Sequence, residues 1–64
     1  MSWCIVKYVD NTIFYYAGYY KECKPVFVIS YTDAMKCEWY REAFDLLEKM
    51  GLTDCKIEEH TYMD

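Results

Sequence analysis

Sixty-four residues leave room for one small domain, 1–64, and exclude multidomain enzymes, dinucleotide-binding folds and barrels. Hydrophobic residues make up 55% of the chain and aromatics 20%, eight of them tyrosine, so the chain folds rather than staying disordered. A formal net charge of −4 lacks the basic surplus that replaces counterions on phosphate backbones, which argues against direct nucleic-acid binding.

The elements follow in chain order. Trp3 to Val9 is β-branched and aromatic, and Asp10-Asn11 supplies turn chemistry, giving a first strand and a hairpin. Thr12 to Tyr20 is too aromatic and too continuous for a solvated helix and reads as the hairpin partner, with Gly18 marking a bulge or a close backbone contact. Lys21 to Lys24 is the next turn, and Pro25 opens a third strand, Val26 to Ile29. The period then changes: Trp39, Ala43, Leu46, Leu47 and Met50 form the buried stripe of an amphipathic helix, stopped by Gly51. Asp33 starts either this helix or a separate short turn, and a break near Cys37 is the preferred reading. Cys55 to His60 is a last strand with Ile57 facing in and Glu58 on the opposite face, and 61–64 is a frayed tail. The expectation is an α+β domain, β-β-β-α-β, with one helix on one face of a small antiparallel sheet.

One helix covers one face, so the other face must meet something. The second strand carries Ile13, Tyr15, Ala17 and Tyr19 on one side and Phe14, Tyr16, Gly18 and Tyr20 on the other, and neither side is polar. Tyrosine suits a binding surface, because its ring buries a large area while its hydroxyl keeps the free protein soluble. Tyr15, Tyr16, Tyr19 and Tyr20 are therefore candidate protein-binding residues, and an uncovered aromatic face also predicts a homo-oligomer.

The charge is unevenly divided. Lys7, Lys21 and Lys24 outweigh Asp10 and Glu22 in the first half, whereas from Asp33 onward nine acids face Lys36, Arg41, Lys49 and Lys56. Glu38, Glu42, Asp45 and Glu48 fall on the solvent side of the helix, where they form either a plain solvated face or an acidic mimic of nucleic-acid phosphates. Glu42 and Asp45 join the tyrosines as candidate binding residues. Stacking of RNA on Phe14 and Tyr16 would need a basic rim that the sequence lacks.

The chemistry-bearing residues are sparse. His60 is the one histidine and reads as solvated. Cys4, Cys23, Cys37 and Cys55 are separated by 18, 13 and 17 residues, without the close pairs that zinc sites use. They read as thiols acting as small apolar fillers, with Cys23 and Cys37 the only candidates for a reactive one. The two glycines stand apart, so there is no phosphate-binding loop. No cofactor, metal or catalytic residue is expected, and the chain reads as non-enzymatic. No apolar run approaches the roughly 20 residues of a membrane helix. Lys7 and Asp10 interrupt the stretch a signal peptide would use, so a cytoplasmic protein without a membrane partner is expected.

At Gly18-Tyr19-Tyr20, Lys24-Pro25-Val26-Phe27, Thr32-Asp33-Ala34, Glu42-Ala43 and Leu47-Glu48-Lys49-Met50-Gly51 the chain resembles small orphan proteins of bacteriophages and their bacterial hosts, over about residues 3 to 60. These motifs belong to a hairpin, a turn and a capped helix, so the resemblance carries an architecture and no functional residue. What it implies is stoichiometric action on a host protein, as a phage-type inhibitor of a defence enzyme such as a CRISPR nuclease, in the host cytosol. The alternatives are a structural or regulatory homo-oligomer without a defence role, or a thiol-dependent zinc module.

Overall fold

The computed structural model describes residues 2–60, and the frayed tail expected over 61–64 lies outside the described residues. Strand β1 (Ser2–Val9) turns through Asp10 and Asn11, both at positive φ (50° and 67°), into β2 (Thr12–Lys21). Two consecutive left-handed residues match the right-handed twist of the strands they join. A second tight turn, Glu22-Cys23, repeats this at φ 53° and 65° and leads into β3 (Lys24–Val28). A single 3₁₀ turn at Tyr31–Asp33, helix α1 (Tyr40–Lys49) and strand β4 (Lys56–His60) complete an antiparallel sheet ordered β3-β2-β1-β4 with one packed helix, the expected α+β class. No helix among the described residues is long and apolar enough to cross a membrane.

Strand alternation sorts the core onto two faces. On the helix face Ile5, Tyr16, Cys37, Ala43 and Leu52 are buried, with Trp3, Phe27, Leu46, Leu47 and Ile57 against them. On the opposite face Cys4, Val6, Tyr15 and Ala34 are buried, with Ile13, Val28 and Tyr31 alongside. Full burial of Ile5 or Val6 is worth roughly 1.5–3 kcal/mol each, so both clusters matter to a domain this small.

The second face is thus not bare, which corrects the expectation that it must await a partner. β1 pairs with β2 only from Val6 to Val9, and in the gap below the chain inserts its own connection. Trp3 exchanges backbone hydrogen bonds with Cys37 (2.8 and 2.9 Å), and the Met35 N–H donates to the Tyr16 carbonyl (3.0 Å). The connection crosses the sheet here, with Ala34 in one core cluster and Cys37 in the other. Room for the crossing comes from the bulge. Tyr16 pairs with Phe27, yet Tyr20 pairs with Pro25, so β2 spends four residues where β3 spends two, and Gly18 sits between at φ 99°.

The helix is defined at both ends. The Glu42 carboxylate accepts from the backbone N–H groups of Glu38 and Trp39 (3.1 and 3.2 Å), satisfying donors that the first turn cannot. At the other end the Gly51 N–H bonds Glu48 and the Leu52 N–H bonds Leu47, with Gly51 left-handed at φ 64°, a Schellman stop. The break near Cys37 is present, but Trp39 is no part of the buried stripe. It precedes the helix in extended conformation (φ −125°, ψ 143°), so helical period does not set its direction, and it is 66% exposed.

Candidate functional site

The structure separates the six residues that the sequence groups as a binding face. Tyr15 and Tyr16 are 8% and 1% exposed and belong to the two cores, one on each side of the sheet. The Tyr16 hydroxyl reaches the Met50 sulfur (3.2 Å) beneath the helix, which also removes it as a stacking platform for bases. Tyr19 and Tyr20 are exposed at the bulge, and the Tyr20 hydroxyl donates to the Met50 carbonyl (3.2 Å), tying the hairpin to the end of the helix. Glu42 and Asp45 are exposed and line one open groove of about 440 Å³ with Met35, Lys36, Cys37 and Lys49. Glu42 is occupied as a helix cap and two lysines share its groove, so the acids do not form a uniform negative stripe.

The titratable groups are arranged for packing. Burial pushes the Cys4, Cys37 and Cys55 thiols up, away from the thiolate that a nucleophile needs. Cys23 is exposed in its tight turn, which corrects its reading as an apolar filler. His60 is not solvated as expected. Its ring packs against Tyr15 and Tyr31 (centroids 5.5 and 5.4 Å), and its Nε2 lies 3.4 Å from a Glu58 oxygen. The other Glu58 oxygen accepts from the Tyr8 hydroxyl (2.6 Å), and that bond, more than burial, raises the phenol's pKa. Among the described residues no group of three or more His, Cys, Asp or Glu is placed to hold a metal.

Sequence reasoning missed a group of exposed aromatics at the start of the helix. Trp39, Tyr40 and Phe44 are 66%, 50% and 41% exposed, Tyr40 stacks on Phe44 (6.3 Å, 11° between planes), and Trp3 meets Tyr40 edge-on (5.2 Å). Tyr40 and Phe44 stand four apart, the spacing that puts two side chains on one helix face, and that was the available signal. Their direction is fixed by the opposite flank. Glu42, Leu46 and Lys49 look toward Met35–Cys37, on the β2 side of β1, while the helix itself rests on β1 and β4. Tyr40 and Phe44 therefore form a shelf on the β4 side.

β4 ends the sheet there, and the direction of its free backbone groups follows from parity. Trp3 bonds toward Cys37, so Ser2, Cys4 and Val6 point the other way and take up the backbone groups of His60, Glu58 and Lys56. The N–H and C=O groups of Ile57 and Glu59 are then the ones that face outward along the edge. Among the described residues no strand pairs with the outer side of β4, and such an edge near exposed aromatics is a surface for adding a strand from another chain. No protein family, curated protein or solved structure matches this chain.

Proposed function

We propose that the chain is a non-enzymatic protein-binding module whose docking surface is the β4 edge with the Trp39, Tyr40 and Phe44 shelf. One observation carries the reading: β4 ends the sheet with the backbone groups of Ile57 and Glu59 facing outward, on the side toward which the helix presents its exposed Tyr40 and Phe44. Backbone pairing would give affinity and the aromatic shelf would select the side chains that follow the added strand. Inhibition of a host defence enzyme is the task that the phage-protein resemblance suggests for such a module, and the capture experiment identifies the target.

The test compares proteins captured by the tagged wild type, by Tyr40→Ser/Phe44→Ser and by Tyr19→Ser, each shown folded by circular dichroism. Partners lost from the shelf variant and kept by Tyr19→Ser support the reading. Partners kept by the shelf variant and lost with Tyr19→Ser move the surface to the bulge.

A further inference from the structure

We infer that the occupant of the β4 edge is a second copy of this chain, paired β4 to β4 antiparallel about a two-fold axis through Ile57. The inference rests on the docking surface just described and names its partner. Only residues whose backbone groups face outward can bond across the edge, so odd-numbered residues must meet odd-numbered residues. That leaves few symmetric registers. Centring on Lys56 sets two lysines opposite one another, and centring on Glu58 or Glu59 sets two glutamates opposite one another, each a like-charge pair that destabilises a ladder. Centring on Ile57 is different. Ile57 meets its own copy on the helix face, and on the other face Lys56 stands opposite the partner's Glu58 while Glu58 stands opposite the partner's Lys56.

The charged side chains that this register pairs share one face of the sheet. Tyr8 fixes Glu58 through its 2.6 Å bond, and the Lys56 ammonium lies 5.7 Å over the Tyr8 ring, so both charges are held on the same face next to the edge. The antiparallel two-fold also brings both helices to the same side of a continuous eight-stranded sheet, with the Tyr40 and Phe44 shelves along the seam. One symmetric contact closes the β4 edge and leaves β3 as the outer edge of each copy.

The decisive experiment exploits the two-fold symmetry. Lys56→Glu places acid against acid at both pairs, and Glu58→Lys places base against base, so each alone should weaken self-association about tenfold or more. An equimolar mixture of the two variants matches opposite charges at every pair and should associate as the wild type does. Sedimentation equilibrium reads all four samples, with a monomer mass of 7.8 kDa as reference. Residue-resolved hydrogen exchange gives the register: the Ile57 and Glu59 amides should gain protection with concentration, while the Lys56, Glu58 and His60 amides are protected throughout. A monomeric wild type overturns self-pairing, and if its captured partners are still lost on changing the shelf, the docking surface itself stands. A wild-type dimer indifferent to both reversals, or a mixture that stays monomeric, overturns the Ile57 register.

Discussion

Replacing Gly18 by alanine should cost far more than the same change at Gly51, although both glycines have positive φ. At Gly51 the backbone is left-handed (φ 64°) and an added Cβ meets nothing within 4 Å, so the cost is the left-handed penalty alone, about 1 kcal/mol. At Gly18 φ is 99°, outside the small basin that L-residues tolerate, and this strain costs on the order of 1–3 kcal/mol. The new Cβ would also stand 3.0 Å from the Met35 Cβ and 3.2 Å from its Cγ. Met35 cannot simply withdraw, because its N–H is bonded to the Tyr16 carbonyl and Cys37, two residues on, is bonded to Trp3. The sum for Gly18→Ala is about 2–4 kcal/mol, a large share of the roughly 3–10 kcal/mol that a domain of this size holds. Urea unfolding followed by circular dichroism measures both variants, and with a slope near 1 kcal/mol per molar the midpoints should differ by about 1 M or more. Equal midpoints would refute the idea that Gly18 is required by the close passage of the 34–37 crossing.

Three further outcomes follow from the same geometry. Glu42→Ala removes the acceptor for two amides at the helix start and should cost about 1 kcal/mol, whereas Asp45→Ala should stay within about 0.5; equal costs would show that the cap contributes little. An alkylating reagent under native conditions should modify exposed Cys23 first and buried Cys4 and Cys37 last, and mass mapping that finds Cys37 first would contradict the fold around the crossing. Burial raises the Cys4 and Cys37 thiols and the Tyr15 and Tyr16 phenols, so their contribution is complete below the ordinary values of 9.0 and 10.0 and is lost as pH climbs through the raised ones. The melting temperature should therefore be level through about pH 8 and fall above 9, and a melting temperature still level at about pH 10.5 would count against the burial of these groups.

Much of the fold could be read from local chemistry. Asp10-Asn11, Gly18 and Gly51 announce features whose causes lie within a few residues, and the helix stripe Ala43, Leu46, Leu47 and Met50 is a matter of period. The alternation along β2 also puts Tyr15 and Tyr16 on opposite sides of the sheet, where the structure has them. What could not be read depends on contacts between distant residues. The turn expected over Lys21 to Lys24 is present, but nothing in Glu22-Cys23 itself says that both of its residues are left-handed. Nothing around Ala34 says that the chain will pass through the sheet between Trp3 and Tyr16, and that passage is what buries Tyr15 and changes the candidate site. Trp39 looked like core because it is in phase with the stripe, but one extended residue before the helix cancels the phase.

The consequence for function comes from how this chain covers its sheet. A single helix on a four-stranded sheet ordinarily leaves a whole face to be met by something else. Here the 3₁₀ turn at Tyr31–Asp33 and Ala34 close over Cys4, Val6 and Tyr15, and the aromatic contact of Tyr31 with Tyr15 (5.8 Å) seals that side. With both faces occupied from within, the open features among the described residues include the outer edges of β3 and β4, the latter on the side toward which the helix turns Tyr40 and Phe44. β4 is short and charged, the usual protection of an edge against indiscriminate pairing. Its charges also differ in sign at Lys56 and Glu58, so they reject every symmetric register that sets like against like and admit the one centred on Ile57. The same side chains that keep the edge from pairing at random thus specify the pairing that we infer.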